Sequence, residues 1–170
     1  MVRSNYTETI NSLADLCGKN VVVLSNSVEY ADVISQNASC GGNNINIAIA
    51  ASVSNLTSAV QSGTSDVGVF LTAVLTYAAA QSNGQLKIVG QGYHNVTLGI
   101  LCNQQNSALC CSLANAINYL IGQGIYQQLL TKYSFTYPTN GICPSVINLN
   151  ATTCTSSCIP SNSYCQNLLG

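Results

Sequence analysis

Charge is what this sequence most lacks. Of 170 residues only 5% are Asp, Glu, Lys or Arg, five acidic and four basic, for a net charge of −1; a soluble domain usually carries about 25%. That scarcity excludes a nucleic-acid reader, which needs clustered Lys and Arg to displace phosphate counterions, and electrostatic docking on anionic membranes. Histidine is scarcer still, with His94 alone and no C-x-x-C pair to join it, so zinc-finger spacings are absent and neither metal nor cofactor is expected. No apolar run reaches the roughly 18 residues that span a bilayer. The longest, residues 67–80, contains Thr72 and Thr76, and no transmembrane segment is expected. Met1 is followed by polar residues rather than an apolar leader, so the chain reads as mature or trimmed. A G-x-S-x-G nucleophile elbow is also missing. Gly90-Gln91-Gly92 and Gly122-Gln123-Gly124 lack the third glycine and the context of a phosphate loop. His94, between Tyr93 and Asn95, reads as a solvated loop residue, and the chain is not expected to be an enzyme.

What replaces charge is amide and hydroxyl. Asn, Ser, Thr and Gln together supply 64 residues, beside an ordinary 47% of hydrophobic ones. The length suits about one domain with its own core. Nine cysteines stand at Cys17, Cys40, Cys102, Cys110, Cys111, Cys143, Cys154, Cys158 and Cys165. Without metal spacings they read as a disulfide framework formed in an oxidising compartment, with connectivity open. The odd one implies a free thiol or a bond to another chain. Adjacent Cys110 and Cys111 on one helix are expected to have different partners. Five Asn-x-Ser/Thr sequons begin at Asn5, Asn37, Asn55, Asn95 and Asn150, all in segments read as loops or helix starts. With the cysteines they point to a secreted, N-glycosylated, extracellular protein.

Strand and helix patterns alternate as far as residue 135. Val21–Leu24 is a β-branched run, and Ser25-Asn26-Ser27 supplies capping residues for a helix over residues 28–36. Residues 45–49 alternate as a strand; Ser54 is expected to cap a helix through Gln61, stopped by Gly63. Strand 67–71, helix 72–81, the Asn83-Gly84 turn and strand 86–89 follow, then a further strand over residues 97–102. From Ser107 to Ile121, polar Ser112, Asn115 and Asn118 form a narrow stripe on an otherwise apolar helix, which predicts burial on most sides. A last helix covers residues 125–133. This order predicts an α/β lobe with a mostly parallel sheet flanked by helices. The expected organisation is an N-terminal segment 1–12, the lobe 13–135, and a cysteine-rich irregular tail 136–170.

Three segments carry a family resemblance. Leu13-Ala14-Asp15-Leu16-Cys17-Gly18-Lys19-Asn20-Val21, Ser58-Ala59-Val60-Gln61-Ser62-Gly63-Thr64-Ser65-Asp66-Val67, and Leu113 to Asn118 with Gly124, Tyr126 and Lys132-Tyr133 occur in one order and spacing. They resemble the "DLkGKkV", "aLkaGrvDa" and "lNkaiaeLkadGtydkiyeKy" segments in the C-terminal lobe of family 3 (amino-acid-type) extracellular solute-binding proteins. That type II periplasmic-binding fold is shared with ionotropic glutamate receptor ligand cores. The resemblance implies a ligand carboxylate held at a helix N-terminus, here Ser25, Asn26 and Ser27, with Ser27 as hydroxyl donor. It also implies an ammonium-binding aspartate at the end of the strand after Asp66. This sequence has Phe70-Leu71-Thr72 there, so an ordinary zwitterionic amino acid is not the expected ligand. Asp66 itself is expected to be structural.

Only about a dozen residues precede the matched segment, so the family's first lobe is expected to be absent, and with it a cover for the Ser107 helix. Two functions follow. The first is a structural or self-assembling subunit, with filaments as one outcome, partnered by copies of itself or another extracellular protein. The alternative is a small-ligand (solute) binding protein, or a fragment of one.

Overall fold

The structure, a computed structural model, describes residues 1–94, 100, 103 and 106–135. It divides into two units, residues 1–95 and 96–170. The predicted strand over 97–102 falls almost wholly outside the described residues, and the tail 136–170 entirely so.

The first unit is built on a five-stranded sheet with order β3-β2-β4-β1-β5, where β1 is Val2–Arg3, β2 Asn20–Leu24, β3 Asn46–Ala50, β4 Val67–Val69 and β5 Leu86–Lys87. β2 pairs parallel with β3 and β4, in register from Asn20 opposite Asn46 to Leu24 opposite Ala50. β1 runs antiparallel between β4 and β5. The three valines of β2 are all buried because the strand is central and covered on both faces. Val21 and Val23 face one core with Val2, Ile10, Leu16, Val33 and Val67. Val22 faces the other with Met1, Leu56, Val60, Leu75 and Leu86.

Three helices connect the strands: α1 (Val28–Ala38), α2 (Val53–Ser62) and α3 (Thr72–Ala80). Each begins where a parallel strand ends. The cap of α2 is Ser52 rather than the expected Ser54: its Oγ accepts from Asn55 N at 3.2 Å. β3 continues to Ala50, which leaves only Ala51 to turn the chain. Gly63 ends α2 in the left-handed region at φ +83°, as expected. β4 stops at Val69, because Leu71 already serves as the N-cap position of α3, and β5 stops at Lys87. Asn83 and Gly84 turn with φ +52° and +77°, while Ser82 Oγ accepts from Leu86 N.

The first dozen residues are not a separate segment. Met1, Val2 and Ile10 are core residues, and Val2 pairs with both Val67 and Lys87. A two-residue strand has no periodicity to read, which hid it. Arg3 and Asp66 explain each other. The Arg3 guanidinium donates to Val60 O at 3.1 Å, Ser65 O at 2.9 Å and Asp66 Oδ1 at 3.4 Å. Asp66 Oδ2 accepts from Asn20 N and Nδ2, and Asn46 Nδ2 donates to Asn20 Oδ1. Asp66 is therefore structural in place, and this chain of bonds crosses β1, β4, β2 and β3 at the sheet's N-terminal edge.

Cys17 and Cys40 form a disulfide, with Cα atoms 5.6 Å apart. It ties the 3-10 turn Leu13–Leu16 to the end of α1. The other seven cysteines have no described pairing.

In the second unit, α4 (Ser107–Gly122) and α5 (Ile125–Lys132) are joined through Gly124 at φ +70°. Burial of α4 is narrower than its apolar sequence predicts. Ala114 is buried and Leu113 and Ile117 are half-buried, but Leu109 and Tyr119 are exposed. Among the described residues, α5 packs along one side of α4.

Candidate ligand site at the carboxyl edge of the sheet

β3, β2 and β4 lie side by side and parallel, so their carboxyl ends and the starts of α2, α1 and α3 share one edge. In open α/β sheets that edge is where ligands bind. Ser25, Asn26 and Ser27 occupy its middle, after the central strand. Ser25 N donates to Ala50 O at 2.9 Å, which fastens the end of β2 to the end of β3. Asn26 takes φ +58°, a left-handed conformation that Asn tolerates better than most residues. That turn delivers Ser27 as the N-cap, and its Oγ accepts from Tyr30 N at 3.1 Å.

The capping role of Ser27 is thus real, and it leaves chemistry over. A hydroxyl that accepts one bond still has a proton to donate. The amides of Val28 and Glu29 are first-turn groups without an intrahelical acceptor. Together they present donors, backed by the positive end of the helix dipole, to a carboxylate or a neutral acceptor.

The flanks of this edge are polar on one side and apolar on the other. Ser52 caps α2 beside it, a residue not singled out in the sequence because Ser52 and Ser54 both suit a cap. On the β4 side stands Leu71, half-buried, with no side-chain cap bond. Among the described residues no carboxylate stands at that strand end, where the chain reads Phe70-Leu71-Thr72. The acidic residues on α1 are Glu29 in its first turn and Asp32 farther along. Asp32 Oδ2 is buried without a hydrogen-bond partner among the described residues, and His94 Nδ1 lies 3.7 Å from it. Burial, together with the Asp32 and Glu29 charges, pushes the Tyr93 phenol strongly up, so Tyr93 stays a neutral donor. This Asp32–Tyr93–His94 group was not legible in sequence, because 61 positions separate its parts. Arg3, the one arginine in the sequence, is fixed at the opposite edge by Val60, Ser65 and Asp66 and does not reach this one.

Of the sequons, Asn5 lies in an exposed turn, Asn37 in the last turn of α1 rather than in a loop, and Asn55 in the first turn of α2. Asn95 and Asn150 lie outside the described residues.

No family model and no curated protein matches the sequence. Solved structures do. An ancestral arginine-binding protein bound to glutamine matches at 28% identity and a TM-score of 0.61, covering 78% of this chain and 56% of its own. An ancestral arginine-binding protein bound to arginine matches at 26% identity and a TM-score of 0.63, covering 78% of this chain and 57% of its own. The fold is that of a binding-protein lobe. A P235GK mutant of ArgBP from T. maritima, 18% identical, has a TM-score of 0.63 over 78% of this chain and 55% of its own, and supports the fold alone. The chain spans just over half the length of these structures. The lobe resemblance drawn from three short segments therefore holds for the fold. Nothing among these structures points to a filament or an assembling subunit.

Proposed function

We propose that the chain is the ligand-binding C-terminal lobe of an extracytoplasmic solute-binding protein, acting by capture and not by catalysis. The observation that carries this reading is the Ser25–Ser27 turn. It places a helix N-terminus with an uncommitted hydroxyl proton at the carboxyl end of the central parallel strand. The solved structures bound to glutamine and arginine support the solute class, since each ligand carries a carboxylate that such a site would accept. The Cys17–Cys40 disulfide supports an oxidising compartment. Among the described residues no helix is long and apolar enough to cross a membrane.

The ligand we assign is a small carboxylate or neutral polar solute whose recognition does not require an ammonium group. Leu71 offers no counter-charge at the strand end, and an unpaired ammonium there would be costly. Calorimetry of the chain against amino acids and simple carboxylates tests this. Binding of a carboxylate that weakens about tenfold in Ser27→Ala, the loss of one hydrogen bond to a charged group, is the expected result. Micromolar binding of a zwitterionic amino acid would contradict the specificity. If that affinity disappeared in Glu29→Gln, the counter-charge would have moved from the strand end onto α1. The self-assembling subunit expected from the sequence has no observation in its favour and is set aside.

A further inference from the structure

The three described sequons differ in whether a glycan could be attached. Addition needs an amide nitrogen open to solvent, room for a bulky sugar, and a reachable hydroxyl two residues on. Asn37 fails the first condition in part: it is half-buried, and its Oδ1 is held at 2.6 Å by Ile45 N. Its partner Ser39 Oγ is turned back to Ser35 O at 3.5 Å. Asn55 is exposed but sits inside a helix. Its Oδ1 accepts from Ser52 Oγ at 2.6 Å, the middle residue Leu56 is fully buried, and Thr57 Oγ1 donates to Val53 O at 2.8 Å.

Asn5-Tyr6-Thr7 is built differently. It follows β1 in an exposed turn in which Tyr6 N donates to Arg3 O at 3.0 Å. Ser4 anchors the turn, its N donating to Gln85 O at 2.8 Å and its Oγ to Gly84 O. Asn5 and Thr7 are both exposed, and among the described residues neither side chain has a hydrogen-bond partner. The backbone is held in place while the two recognition groups stay free.

We propose that Asn5 is the N-glycan acceptor among these three sequons when the chain passes through a compartment that glycosylates asparagine. The donor is an oligosaccharide on a lipid diphosphate. The Asn5 Nδ2–C1 bond forms, the C1–oxygen bond to the diphosphate breaks, and the lipid diphosphate leaves with the electron pair. The amide proton passes to the transferase's base. β1 runs antiparallel to β4, so Asn5 emerges at the sheet's N-terminal edge, opposite Ser25–Ser27. A glycan there leaves the carboxyl edge clear, yet the inference does not depend on a ligand binding.

The test is secretion of the whole chain from a eukaryotic host and glycopeptide mapping with and without peptide N-glycosidase, which leaves aspartate at each occupied site. The expected result is a glycan on Asn5 and none on Asn37 or Asn55. Thr7→Ala should abolish it while Thr7→Ser keeps it, and Thr7 is exposed, so neither change threatens folding. A bare Asn5 in the secreted protein, or a glycan on Asn37 or Asn55, would overturn the proposal.

Discussion

Arg3 sits where a short strand gives its side chain three acceptors at once, two of them backbone carbonyls next to the end of α2. Removing it leaves the Ser65 carbonyl, in a buried residue, without its donor. Arg3→Ala is therefore expected to cost about 2–3 kcal/mol, the range for losing hydrogen bonds to a charged group, read by urea unfolding. Asp66 adds a pH dependence. Burial raises its pKa, but the Asn20 side chain and backbone and the Arg3 guanidinium outweigh that and hold it below the ordinary carboxylate value. A carboxyl with a lowered folded pKa stabilises fully above its unfolded value of about 3.9 and loses that stabilisation as pH falls through the folded value. Acid unfolding of Asp66→Asn should be flatter below about pH 4 than that of the wild type. Asn26 makes a separate point. At φ +58° Asn26→Gly should be tolerated, whereas a β-branched residue such as Val is strained there. The Asn-rich composition gave no way to single this residue out from nineteen other asparagines.

At the scale of elements, β2 and α1 were the most legible, because three valines followed by capping residues have one reading. β1 and the cap of α2 were the least legible. One is too short to show a period, and the other depends on where β3 stops. Gly68 shows how closely β4 packs on α2. A Cβ built there would stand 2.8 Å from Leu56 Cδ2 and 3.1 Å from Val60 Cγ2. Gly68→Ala should destabilise by about 1–3 kcal/mol through overpacking of β4 against α2. The Cys17–Cys40 bridge spans 23 residues, a loop whose closure is worth about 3 kcal/mol in the unfolded chain. Thermal unfolding of the Cys17→Ser, Cys40→Ser double variant should register that loss without changing the ligand-site turn, which lies at the other edge.

For the whole molecule, the parallel layout and the lobe resemblance were readable because helix caps, strand runs and three short segments agreed in order. The strand between β4 and β5 was not readable. β1 closes the gap between β4 and β5 from far away in sequence, a juxtaposition only the folded chain reveals. Deleting residues 1–10 should consequently abolish cooperative unfolding, since it removes Met1, Val2 and Ile10 from both cores and strips β5 of its partner. The expected assembly rested on the apolar sequence of α4, and a pattern of side chains on one helix does not say what covers it. The claim that ties residue, element and molecule together is that the carboxyl edge captures a small solute at Ser25–Ser27. Nuclear magnetic resonance titration of the isotope-labelled chain with carboxylates and amino acids reads this edge amide by amide, and it detects weak binding. The account predicts saturable shifts centred on Ser25 to Glu29, diminished in Ser27→Ala. Saturable shifts confined to other parts of the chain, or none at millimolar solute, would contradict it.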